Sequence, residues 1–204
     1  MYQRPKLEQP ISSACQAKDR LSLRRFASYH VTVAEIETLI SDEMRAVVGK
    51  VMTTMTSYPI SASDIRRWAS AVYYPEVPPK LYWDEDYASK TPFGGIVAPE
   101  EFNPFAIMTK DPRPTKRVMR RTDFELILGI QPPPTRAILQ SEVRVHYSGV
   151  RMCPGDIIRS IERIGEYSER EGKMGLQLYT TVSNEYINQR DEQVKVLQTM
   201  FVRY

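Results

Sequence analysis

The chain has 204 residues, 42% hydrophobic and 26% charged, the balance of a folded globular protein with one sizeable core and not of a disordered chain. With 28 basic and 25 acidic residues the formal charge is only +3, too weak to point to a nucleic-acid partner. Cys15 and Cys153 form no CxxC pair, which excludes a disulfide framework and zinc-site spacing, and no window approaches the roughly 20 apolar residues of a membrane span.

The opening MYQRPKLEQPISSACQAKDRLSLRRF is polar, carries two prolines and lacks the apolar run of a signal peptide. Residues 1–30 therefore read as an N-terminal arm, residues 31–204 as a single domain, and a reducing cytoplasm as the location. Ile36, Leu39, Ile40, Met44 and Val47 recur at helical spacing behind Thr32 and Glu35, so a helix is predicted over 33–46 with a capping box at its start. The β-branched KVMTTMTSYPIS predicts a strand near 50–58. Next, SASDIRRWASAV offers Ser61 or Ser63 as N-cap and places Ile65, Trp68, Ala69 and Val72 on one helix face.

Residues 73–106, YYPEVPPKLYWDEDYASKTPFGGIVAPEEFNPFA, crowd four acidic positions, Asp84 to Asp86 and Glu76, with prolines and aromatics before a second acidic pair, Glu100 and Glu101. Asp84 suits the cap of one or two turns in EDYASK. Pro99 suits the first position of a further helix whose dipole Glu100 and Glu101 complement, with Pro104 limiting its length. GIQPPPT, residues 129–135, reads as a linker. Beyond it, AILQSEVRVHYSGV, DIIRSIERIGEYSER, KMGLQLYTTVSNEYIN and EQVKVLQTMFVRY alternate as strands between turn signals, an antiparallel meander with one buried face. Val143, Val145 and Tyr147 fall on one side of the first of these strands, and His146 on the solvent side. Helices first and long strands after predict an α+β class.

SASDIRRWASAV, LYWDEDYA, GGIVAPEEF, MCPGDII and the closing FVRY, in this order, resemble the hot-dog fold of the MaoC-like (R)-specific enoyl-CoA hydratases, and within it the FAS1-like dehydratase N-terminal branch. The resemblance spans about residues 50–204. It implies a long antiparallel sheet wrapped around a central helix, pairing side by side with a second such unit as a homodimer or heterodimer. It also implies a substrate thioester carried on coenzyme A or acyl carrier protein, reversible hydration of a trans-2-enoyl group, and no cofactor beyond that coenzyme A. Active members resemble one another in an Asp/His pair that activates water, and in a glycine N–H at the central helix that binds the thioester oxygen; a carboxylate beside an imidazole suits the first task and an N–H donor the second.

This chain departs from the pattern at both places. Tyr74 or Pro75 stands where the Asp would be, Tyr82 where the His would be, and Val97-Ala98-Pro99 where the oxyanion glycine would be, proline having no N–H to donate. The remaining catalytic candidates are Glu76, Tyr82 and Asp84. Tyr74, Tyr82, Pro99 and Phe102 are candidates for the substrate wall, and Arg117, Arg120 and Arg121 in the one basic cluster for coenzyme A phosphates. Weighed against these roles are plain ones: a solvated acidic loop, a cap at Asp84, a packed Tyr82. Three functions follow: a hydratase or dehydratase subunit completed by Asp and His of a partner hot-dog chain, a homodimeric enzyme with a rebuilt site, and a non-catalytic acyl-thioester binder.

Overall fold

A computed structural model describes residues 38–106, 124–173 and 175–204, all of which fall in one unit spanning 36–204. The sheet holds five antiparallel strands in the order β1-β3-β4-β5-β2. These are β1 (Val51–Thr56), β2 (Ile138–Tyr147), β3 (Arg159–Gly172), β4 (Gly175–Ile187) and β5 (Gln193–Arg203). The strands β3, β4 and β5 form the expected meander. The strand β2 does not continue it, pairing instead with β5 on the far side, Val145 opposite Leu197.

As an edge strand β2 is flanked on one side only. Val143 and Tyr147 consequently stay 47% and 40% exposed, where the alternation predicts a buried face. The pairing of β3 with β4 shifts register between Ile164 and Tyr167, at Gly165. A Cβ there would stand 2.8 Å from the carbonyl oxygen of Thr181, so only glycine lets β3 press this closely on β4.

Helix α1 is a short turn, Asp42–Ala46. The predicted helix is cut at its front because the Ser41 side chain accepts from the Met44 N–H, making Ser41 the cap. Leu39 and Ile40 precede that cap in non-helical backbone and are buried with Met44 and Leu178. The Leu39 N–H and Thr38 hydroxyl both donate to the Glu169 carboxylate. The proposed start at Thr32 lies outside the described residues.

Helix α2, Ala62–Tyr73, begins as the sequence predicts. Ser61 accepts from the Asp64 N–H, and the Asp64 carboxylate accepts from the Ser61 N–H, a reciprocal cap worth about 1 kcal/mol. Ile65 and Ala69, one turn apart, are fully buried, and Trp68 packs beside them, while Val72 of the same expected face is 52% exposed. Their partners are Ile96, Val97, Ala98 and Phe102 from the following chain and Ile158, Tyr186 and Val194 from the sheet side. Full burial of a side chain like Ile65 stabilises by roughly 1.5–3 kcal/mol.

Helix α3, Glu85–Ala88, is one turn capped by Asp84. The helix expected from Pro99 is not formed. Pro99 to Glu101 make a turn closed by the Phe102 N–H on the Pro99 carbonyl (3.0 Å), and only a short 3-10 turn follows at Pro104–Ala106. Helix α4, Phe124–Ile127, leads through residues 129–137 into β2. That connection runs within the domain: Ile130 packs on two core clusters, and Arg136 and Ala137 donate to the Tyr204 carbonyl. Among the described residues no helix is long and apolar enough to cross a membrane.

Candidate functional site

The segment between α2 and α3 is held by its own hydrogen bonds. Trp83 Nε1 donates to the Pro78 carbonyl (2.9 Å), while Arg66 bridges the Trp83 carbonyl (3.1 Å) and the Glu85 carboxylate (3.0 Å). Within this frame Tyr74 is 82% exposed, on the N-terminal side of a cis Tyr74–Pro75 bond, and Glu76 is exposed with no ion pair among the described residues. Asp84 Oδ1 accepts from the Tyr87 N–H (3.0 Å), with Lys80 Nζ 3.9 Å from its other oxygen.

Tyr82 turns inward, 9% exposed, its ring centroid 6.0 Å from that of Tyr73. Burial pushes its phenol above the ordinary value, a hydrogen bond with Tyr73 and the charge of Glu101 add to this, and Arg151 opposes it. Tyr82 is therefore a proton-bearing donor at neutral pH, unsuited to be a base. Pro99 is buried in its turn, and Phe102 is wholly buried edge-on to Trp68 at 5.6 Å. Arg117, Arg120 and Arg121 lie outside the described residues.

Polar groups converge instead on the 98–102 turn. The Ala98 N–H donates to the Met152 carbonyl (2.8 Å), fixing the turn's entry beside the strand-entry loop. From β5, Lys195 reaches it with Nζ donating to the carbonyls of Phe102 (2.8 Å) and Glu100 (3.1 Å) and lying 5.2 Å from the centre of the Tyr186 ring. Lys195 is only 6% exposed, and desolvation lowers its pKa to about 8, partly offset by Glu101.

Arg151 reaches the same turn, Nη2 standing 3.3 Å from Glu100 Oε1 and the guanidinium 5.9 Å from the Phe93 ring centre, while its buried Nη1 has no hydrogen-bond partner among the described residues. The Tyr147 phenol is raised by burial and by Glu101 and Glu100. A cavity of about 10 Å³, the size for a single water, lies among Ala98, Glu100, Tyr147, Arg151 and Val194.

Within this cluster Lys195 spends two donors on backbone carbonyls, while Arg151 Nη1 is a donor without a partner among the described residues and suits a carbonyl oxygen. The cluster contains no imidazole: His146 is exposed on β2, and His30 lies outside the described residues. Cys153 is no nucleophile either, because burial and Asp156 push its thiol up. Among the described residues no group of three or more His, Cys, Asp or Glu side chains is placed to hold a metal ion.

Lys195 was legible in one respect only. It shares its strand phase with Leu197, Thr199 and Phe201, so a cation breaks the apolar alternation there, and Arg203 breaks it again at the other end. Arg203 makes a fork on Glu125, with Nη1 to Oε2 at 2.8 Å and Nη2 to Oε1 at 2.7 Å, and donates to Thr180 Oγ1 (2.7 Å). Tyr167 donates to Glu125 Oε1 (3.0 Å), and burial drives its phenol well above the ordinary range. Glu125, Thr180 and Arg203 are all 3% exposed or less, so this network ties α4 to the sheet. Between these two ends the inner sheet face carries a cavity of about 350 Å³.

A family profile described as "FAS1-like, dehydratase domain region" matches residues 46–197. No curated protein matches the chain. Among solved structures, the chain is similar to the ChsH1-ChsH2 complex from Mycobacterium tuberculosis, at 16% identity and a TM-score of 0.56, over 76% of this chain and 89% of that one. It is also similar to a MaoC-like dehydratase, at 22% identity and a TM-score of 0.53, over 78% of this chain and 42% of that one.

Proposed function

Because this chain belongs to the FAS1-like dehydratase family and has its hot-dog fold, we propose that it is the non-catalytic half of an acyl-thioester hydratase or dehydratase. It supplies scaffold and substrate wall, and a partner hot-dog chain supplies the Asp and His that activate water. The substrate is a trans-2-enoyl or related thioester on coenzyme A or acyl carrier protein, and no further cofactor takes part. Arg151, whose buried Nη1 has no partner among the described residues, faces the thioester end, Tyr82, Pro99 and Phe102 back the substrate wall, and Arg117, Arg120 and Arg121 meet the coenzyme A phosphates.

One observation carries this reading. The stretch where the family resemblance expects the catalytic pair is spent on structure, with Tyr82 in the core, Asp84 capping α3 and Tyr74 turned to solvent, while the long antiparallel sheet is kept. The ChsH1-ChsH2 neighbour, a complex named for two chains, is consistent with such a division of labour.

The test is to purify the chain alone and with a hot-dog chain encoded beside it, and to follow hydration of trans-2-enoyl-CoA by loss of enoyl-thioester absorbance. Turnover is expected only from the pair, and it disappears when the partner's Asp or His is substituted. Full turnover by the lone chain would overturn the proposal in favour of a rebuilt homodimeric site.

A further inference from the structure

The 350 Å³ cavity on the inner sheet face is of ligand size, at the small end of the usual range of about 300–1,000 Å³. Its wall is mixed: apolar side chains such as Phe124, Val182 and Phe201 make up half of the lining, and polar ones, Glu162 and Asn184 among them, the other half. These two are cross-strand partners on β3 and β4, placed in the middle strands of the sheet and not at an edge. Both are partly exposed to the cavity, so a polar atom left free on either can meet water or a ligand.

Both are half satisfied. Glu162 Oε2 accepts from Thr53 Oγ1 (2.9 Å), and among the described residues nothing donates to its other oxygen. Asn184 Oδ1 accepts from Ser160 Oγ (2.6 Å), which uses the amide's acceptor and orients the amide so that Nδ2 is left without a hydrogen-bond partner among the described residues. One acceptor and one donor thus remain next to each other on the cavity wall.

We infer that this cavity binds the body of an acyl group bearing a hydroxyl, which donates to Glu162 and accepts from Asn184. The chemistry discriminates. A ketone satisfies Asn184 and leaves Glu162 unpaired, a plain alkyl chain leaves both unpaired, and a carboxylate is repelled by Glu162. The ligand class rests on the acyl-thioester reading above; the hydroxyl preference rests on the cavity.

The experiment measures binding by the full chain, together with its partner chain if one is required for folding, using decanoyl-CoA, 10-hydroxydecanoyl-CoA, 10-carboxydecanoyl-CoA and free decan-1-ol. The hydroxylated thioester is expected to bind about 10-fold more tightly than the plain one, and the carboxylated one about 10-fold or more weakly than the plain one. Glu162→Gln should erase the gap between plain and carboxylated ligands. Asn184→Leu should erase the preference for hydroxyl, and it serves as the readout should Glu162→Gln fail to fold. Val182→Trp should abolish binding of the acyl body.

Equal binding of plain and hydroxylated thioesters, or a preference untouched by both polar variants, overturns the inference while leaving the thioester reading in place. Binding of decan-1-ol that is lost in Glu162→Gln or Asn184→Leu, with no thioester binding, sinks the thioester reading and upholds the cavity. Absence of binding by every probe refutes the cavity as a ligand site.

Discussion

Replacing Glu125 by leucine should be among the most damaging single changes in this domain. It leaves the Arg203 guanidinium, 3% exposed, without the two charge-assisted bonds at 2.8 and 2.7 Å, keeping Thr180 Oγ1 at 2.7 Å and the nearby rings of Phe124 and Tyr167, 5.6 and 6.0 Å from the guanidinium carbon. A buried charge that loses its partner costs about 3–5 kcal/mol. The Tyr167 hydroxyl also loses its acceptor, which adds on the order of 1 kcal/mol. Against a typical domain stability of about 5–15 kcal/mol this is about a quarter of the total or more.

The double variant Glu125→Leu/Arg203→Met removes both charges and should recover to within about 2 kcal/mol of the parent, because apolar groups of similar volume replace a buried pair at little net cost. Urea unfolding followed by the fluorescence of Trp68 and Trp83 measures each stability by linear extrapolation, and the cycle yields a coupling of roughly 3 kcal/mol. The reasoning fails if Glu125→Leu costs less than about 1 kcal/mol, or if the double variant is as unstable as the sum of the two singles.

Lys195 carries a pH signature. Its folded pKa of about 8 lies below its ordinary 10.5, so its stabilisation is complete above pH 10.5 and is lost as pH falls through 8; relative to Lys195→Met, the parent should gain about 3 kcal/mol between those limits, and a flat or falling difference in unfolding free energy would contradict the buried ammonium. Asp84→Ala should cost about 1 kcal/mol in thermal or urea unfolding through the lost cap, whereas Glu76→Ala should change neither stability nor the turnover of the assembled pair; a loss of about 10²-fold for Glu76→Ala would revive the rebuilt site. Gly165→Ala should destabilise by about 1–3 kcal/mol, since its Cβ meets a backbone oxygen at 2.8 Å that β4 holds in place, and an unchanged unfolding midpoint would show that the bulge can relax.

Much of the fold lies in local patterns. Ser61 and Asp64 announce α2, Asp84 announces α3, and period-two alternation with turn signals locates β3, β4 and β5 closely. The errors share a cause. Leu39 and Ile40 sit at helical spacing but spend their apolar surface against Leu178 in non-helical backbone, and the acidic pair after Pro99 belongs to a turn clasped by a lysine 95 residues from Glu100 along the chain.

The candidate site divides in the same way. That residues 74–82 hold no Asp or His is read directly, since it needs only residue identities. What the side chains of this stretch do is a matter of long-range packing. Lys195 meets Phe102, Arg151 meets Glu100, Glu125 meets Arg203 and Glu162 meets Asn184 only because strand order and register bring them together. By itself the sequence determines elements whose energies are local: caps, amphipathic faces, strand alternation and the family they resemble in series. Only the tertiary structure decides that β2 is an edge, that Tyr82 turns inward and that two half-satisfied polar groups share one cavity wall. These depend on desolvation and cross-strand pairing, which are properties of neighbours distant in the chain.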